Sequence, residues 1–186
     1  MPEPKEEKPE EFKTQDEPPT DDLKQQIETH THTGAGTSQV NSDNVIRNWK
    51  SACRVYLAAS TQNINSLVIT KVAYETKDYD LSNEFDTTNN QFVANKDGYY
   101  QIDASAELQL SVASDISIYL YKNGAAYEYV KTRRGDSYGS QSVNISTMIK
   151  LVAGDYIDIR ADHATEQTDT INGGTTKTWL NIYKIY

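Results

Sequence analysis

Two histidines stand two residues apart in His30-Thr31-His32, and the third of the chain, His163, has Asp162 beside it and Glu166 three residues on. In one chain, His at i and i+2 make a poor metal site. Three chains presenting His30 and His32 on extended backbones around a threefold axis would offer six imidazoles to one divalent cation. A plain polar linker is the other reading of the same residues. His163, Asp162 and Glu166 likewise read either as a divalent-cation site or as a solvated polar loop. The single Cys53 lies in an apolar alternation, which suits a small buried hydrophobe better than a nucleophile, and one cysteine rules out a disulfide framework within the chain. No Gly-rich phosphate loop or local Cys–His pair occurs, so neither a catalytic constellation nor a cofactor motif is expected. Arg134-Gly135-Asp136 spells an adhesive tripeptide, although Gly-Asp is also ordinary turn chemistry. The chemistry on offer is binding rather than catalysis.

The elements that must position these residues follow from composition and pattern. The chain has 186 residues and a net charge of −9. Residues 1–28 hold ten Asp/Glu against four Lys, all five prolines fall within the first 19 residues, and all 13 tyrosines lie from Tyr56 onward. That split predicts an acidic arm over 1–28 that buries too little to order itself, a His-x-His connector over 29–50, and a β-rich domain over 51–186. No basic stripe suits a phosphate backbone, which argues against nucleic acid. No apolar run approaches a membrane span, and Met1-Pro2-Glu3 begins no signal-peptide pattern.

From Ser51 onward the period is two. Cys53, Val55 and Leu57 alternate with Arg54 and Tyr56; Tyr100, Ile102, Ala104, Ala106 and Leu108 alternate with Tyr99, Gln101, Asp103, Ser105 and Glu107. Ser66–Val72 is apolar at successive positions and reads as a strand covered on both faces. Asn95-Lys96-Asp97-Gly98 reads as a turn with positive φ available at Gly98, and Asn123-Gly124 as a tight hairpin. Nine or ten short strands without a helical period predict an all-β, two-sheet antiparallel sandwich.

The spacing Tyr74-x5-Asp80-x4-Phe85-x6-Phe92-x5-Gly98-x-Tyr100-x-Ile102 resembles the signature of the globular head of complement component 1, subcomponent q, one of the tumour-necrosis-factor-like jelly rolls. Lys122-Asn123-Gly124 and Leu151-Val152-Ala153-Gly154-Asp155-Tyr156-Ile157 are similar to that family's hairpin and strand-entry motifs. His30-Thr31-His32-Thr33-Gly34 resembles the His-x-His-x-Gly stretches of bacteriophage tail-fibre and other virion proteins.

These resemblances imply a homotrimeric jelly-roll head. Tyr56, Tyr119, Tyr121, Tyr156, Tyr183 and Tyr186 are candidates for the subunit interface, where each would bury a ring and keep its hydroxyl bonded. They further imply a virion location, attachment to other virion proteins through residues 1–50, and a host-surface receptor or glycan as ligand, or else particle decoration. The ligand is expected on loops around 132–141 and 161–176, with Arg133, Arg134, Asp136, His163 and Asn172 as contacts. A secreted signalling or pattern-recognition module is the alternative.

Overall fold

The computed structural model describes residues 51–58, 60–133 and 138–185; the segments read as arm (1–28) and connector (29–50) lie outside them. Among the described residues there is no helix, and thirteen strands account for the regular structure. They are β1 (Ala52–Tyr56), β2 (Gln62–Asn65), β3 (Thr70–Lys71), β4 (Thr76–Asp80), β5 (Phe85–Asp86), β6 (Gln91–Val93) and β7 (Gly98–Leu110). There follow β8 (Asp115–Lys122), β9 (Ala125–Arg133), β10 (Gly139–Leu151), β11 (Tyr156–His163), β12 (Thr168–Ile171) and β13 (Trp179–Lys184). Five of the thirteen, β2, β3, β5, β6 and β12, are only two to four residues long.

All pairings are antiparallel. The first sheet runs β2-β12-β7-β13-β1-β4, with β10 along the other edge of β7 over its whole length, Gly98 to Leu110. The second runs β5-β6-β11-β8-β9, with β3 also on β11. The alternation read from the sequence sets the two inner faces. Cys53, Val55, Ile102, Leu108, Ile118, Ile159 and Ile182 are all buried in one core between the sheets. Burial, with the charges of Asp80 and Glu84 adding to it, pushes the Cys53 thiol pKa up, so this cysteine packs and does not react.

The spaced signature residues have a physical reason to recur together. Tyr74 meets Phe85 edge-on at 6.2 Å and Phe92 meets Tyr100 at 5.7 Å, all four rings within the core. Asp80 accepts the backbone N–H groups of Glu84 and Phe85 at 2.9 and 3.0 Å and the Lys77 ammonium at 2.8 Å, closing the turn between β4 and β5. Its burial disfavours the charge, but these three donors outweigh it and hold the carboxyl below its ordinary range.

Two expectations about the backbone are corrected. Ser66–Val72 is not one strand: only Thr70 and Lys71 pair, while Leu67, Val68 and Ile69 are exposed. The Leu67 N–H donates to the His163 carbonyl and the Val68 N–H to the Asn65 carbonyl, so the backbone is spent in a turn. Gly98 does not use positive φ, since it opens β7 in extended form; among the described residues the positive-φ glycines are Gly124, Gly139, Gly154 and Gly174.

Two predictions follow from this packing. Ile102 is fully buried between partners Thr147 and Ile182. Ile102→Asp forfeits roughly 1.5–3 kcal/mol of burial and adds an unpaired carboxylate costing several kcal/mol more, against a total stability of about 5–15 kcal/mol. Thermal unfolding followed by circular dichroism should show no cooperative transition, whereas Ile102→Val should keep one with a loss of about 1 kcal/mol. At the second turn, Lys122, then Asn123, then the Val152 N–H bind the Asp155 carboxylate at 2.8, 2.8 and 3.0 Å and lower its pKa from 3.8 to about 2. A lowered carboxyl pKa stabilises the fold above the unfolded value and loses that contribution as pH falls toward the folded one. The stability gap between the native chain and Asp155→Asn should therefore narrow as pH drops from about 4 to about 2, read by denaturant melts at each pH.

Candidate functional site

The outer face of the second sheet concentrates the side chains able to recognise a ligand. Its placement starts at the Asn123-Gly124 hairpin, where both residues take positive φ (50° and 81°), as a tight two-residue turn requires. The turn pairs Lys122 with Ala125 and Tyr121 with Ala126; the register then shifts, so that Leu120 faces Glu128 and Tyr119 faces Tyr129. Tyr127 is the extra residue of this bulge. Ile116, Ile118 and Leu120 turn into the core, which sends Ser117, Tyr119 and Tyr121 outward. The bulge makes Tyr119 and Tyr129 direct cross-strand neighbours, and their rings stack with centroids 5.6 Å apart at 25°. Tyr121 meets Tyr119 edge-on at 6.4 Å.

On the adjoining strand, β11, Ile157, Ile159, Ala161 and His163 point inward, so Tyr156, Asp158, Arg160 and Asp162 point outward. Asp158 is nonetheless buried, because Arg160 (2.6 Å) and Lys71 (3.2 Å) close over its carboxylate. The same Arg160 guanidinium sits 3.8 Å from the centre of the Tyr121 ring, fixing that ring as well. Farther along, the Tyr119 hydroxyl donates to Asp162 at 2.9 Å, and Lys131 pairs with Asp115 at 2.8 Å. Burial first, and then the Asp162 carboxylate, raise the Tyr119 pKa, so the hydroxyl is a donor at neutral pH. Tyr119, Tyr129, Lys131, Asp115, Asp162 and Leu67 enclose a depression of about 300 Å³.

The residues named from the sequence are distributed over the molecule. His163, expected in a polar loop, ends β11 with its ring buried: Nε2 bonds the Ile64 carbonyl at 3.0 Å and Nδ1 lies 3.0 Å from the Thr165 hydroxyl. Asp162 points to the opposite side of the strand, so the His163–Asp162–Glu166 trio does not converge. Asn172 binds Glu107 and Ser140 across the outer face of the first sheet, away from the depression. Arg133 ends β9, and Arg134, Asp136, Tyr186, His30 and His32 lie outside the described residues. The tyrosines expected in one interface divide. Tyr56 and Tyr183 lie on the outer face of the first sheet, and Tyr119, Tyr121 and Tyr156 on that of the second, so one flat contact takes one group or the other. Tyr129, Lys131 and Asp115 were not singled out from the sequence. The Asn-Gly hairpin between two tyrosine-bearing strands was their signal.

Arg160→Ala should leave Asp158 buried with Lys71 as its remaining cation and strip Tyr121 of its partner. A loss of about 2–4 kcal/mol is expected in urea unfolding, below the 3–5 of a fully buried pair because Arg160 is partly exposed. Lys71→Ala should cost less.

No protein-family profile matches the chain. Over 105 residues, 53% of this chain, it is 34% identical to the uncharacterized protein YqcC of Bacillus subtilis, and over 97 residues, 48% of this chain, 31% identical to the phage-like element PBSX protein XkdV of the same organism. These matches span only 28% and 14% of the two relatives. Among solved structures, Eiger TNF from S. frugiperda superposes with a TM-score of 0.59 at 12% identity, covering 73% of this chain and 92% of that one. The globular domain of zebrafish complement 1qA gives 0.54 at 17% identity, covering 74% and 98%. The described domain thus has the jelly-roll fold that tumour-necrosis-factor and complement globular heads share.

Proposed function

We propose that the chain is a structural and binding protein of a phage virion: a homotrimer, attached through residues 1–50, whose jelly-roll head binds the host surface from the outside of the particle. The observation that carries this reading is the similarity to a protein of a phage-like element, coupled to the jelly-roll fold. Attachment through residues 1–50 rests on the acidic, proline-containing composition of that segment and its His-x-His stretch.

Assembly is supported by the outer face of the first sheet. Met148, Gln101, Tyr183 and Ala52 stand opposite one another across β10, β7, β13 and β1, forming one row over four strands. Met148 is 51% and Tyr183 47% exposed, on a face that also carries the half-buried Tyr56 and Trp179 among Gln, Asp, Ser and Asn side chains. A second and third copy covering this row would bury it and leave the second sheet facing solvent.

Light scattering on the purified chain should give about three times the chain mass. Tyr183→Arg combined with Met148→Arg should give a single-chain species with an unchanged β-sheet spectrum, since both side chains lie outside the core. A stable native monomer would end the trimer reading. Antibodies raised to residues 51–186 should label the exterior of intact particles and block adsorption to host cells; a chain missing from purified particles would end the virion reading.

A further inference from the structure

We propose that the depression between Tyr119, Tyr129 and Asp162 is a saccharide subsite that seats one neutral pyranose ring of a host-surface polysaccharide. This deepens the host-binding reading above and rests on it. Tyr129 is 63% exposed, yet its stack on Tyr119 fixes its orientation. A fixed, open aromatic ring gives the C–H face of a sugar a large contact at little entropic cost. Asp162 spends one lone pair on the Tyr119 hydroxyl, and a carboxylate has about four, so it can still accept from sugar hydroxyls. Beside it, the paired Lys131 and Asp115 supply a donor and an acceptor that neutralise each other. The charge left over is that of Asp162, which repels uronic acids, sialic acids and phosphates and favours an uncharged, hydroxyl-rich ligand.

The rim adds an independent observation. Leu67 holds φ at 60°, a conformation that bulky residues rarely adopt, and its side chain is 75% exposed. Its N–H is held by the His163 carbonyl at 2.7 Å. Strain that presents an apolar side chain to solvent beside an aromatic platform has no packing reward inside this domain. It does place an apolar edge against one side of a seated ring. At about 300 Å³ the depression lies at the lower end of small-ligand sites, about 300–1,000 Å³, and admits a sugar ring with its substituents rather than a folded protein surface.

The test uses the full isotope-labelled chain titrated with the methyl glycosides of glucose, galactose and N-acetylglucosamine, and with the methyl glycoside of N-acetylneuraminic acid as the anionic probe. At least one neutral glycoside should shift the amide signals of Tyr119, Tyr129 and Asp162 saturably, and the anionic one should not. Tyr129→Ala and Asp162→Asn should each weaken that binding about tenfold, while Tyr129→Phe, which keeps the ring, should stay within about threefold. No saturable shift with any neutral glycoside, preference for the anionic glycoside, or undiminished binding by a folded Tyr129→Ala chain would overturn the subsite. Host-cell adsorption separates the two claims. If Tyr129→Ala adsorbs like the native chain, the subsite falls and host binding stands; if the native chain binds glycosides here but never adsorbs to cells, host binding falls and the subsite stands.

Discussion

The thirteen-residue strand β7 is hydrogen-bonded along one edge to β10 and along the other to β13 and then β12. Its inward stripe of Tyr100, Ile102, Ala104, Ala106, Leu108 and Leu110 is buried throughout. A slip of one residue against either neighbour would put Gln101, Asp103 and Glu107 into the core, so burial itself enforces the register. The strand is also anchored at its start. The Tyr100 hydroxyl donates to the Lys96 carbonyl at 2.8 Å, and Asp97 accepts the Ala153 N–H at 2.8 Å, tying the turn before β7 to the turn after β10. Both outer faces inherit their arrangement from this register.

That dependence explains which parts of the molecule were legible in the sequence. Alternation identified β1 and β7 because each has one buried face, and the aromatic spacing located the ring cluster of Tyr74, Phe85, Phe92 and Tyr100. Leu67, Val68 and Ile69 misled because apolar composition does not reveal whether a backbone N–H goes to a ladder or to a turn. The Tyr119–Tyr129 stack was hidden for a different reason. Counting back from Asn123-Gly124 without a bulge sets Tyr119 opposite Glu128; the extra residue, Tyr127, shifts the pairing by one. Bulges leave no fixed mark in a single sequence. His163 was misplaced by the same parity argument, since in β11 it follows the inward residues Ile157, Ile159 and Ala161 and shares their side.

The two outer faces differ in how their polar groups are held. On the first sheet Arg54 binds Asp78, Asn181 and the Thr175 carbonyl and lies over the Trp179 ring, and Asp103 accepts from Ser146 and Gln101. These groups are largely satisfied within the chain, leaving Met148 and Tyr183 as the side chains that gain from being covered. On the second sheet the buried Asp158 would be costly without Arg160 and Lys71, and its pairing in turn locks Tyr121 through the guanidinium. That face is therefore stiff where it is charged and open where it is aromatic.

Stiffness bears on what the proposed trimer would achieve. The sheets of a sandwich are about 10 Å apart and present their outer faces in opposite directions. A trimer joined through the first sheet, as proposed, would leave three copies of the Tyr119–Tyr129 depression on its outward-facing sheets. A single sugar ring held by one stacked tyrosine pair and one carboxylate binds weakly, because few atoms are engaged. Three such sites on the rigid strands of the proposed trimer would raise the effective concentration of the second and third contacts without any further protein–sugar contact per site. Weak individual recognition is thus compatible with firm adsorption, provided the platforms do not wander, and the Asp158–Arg160–Tyr121 arrangement behind them holds them in place.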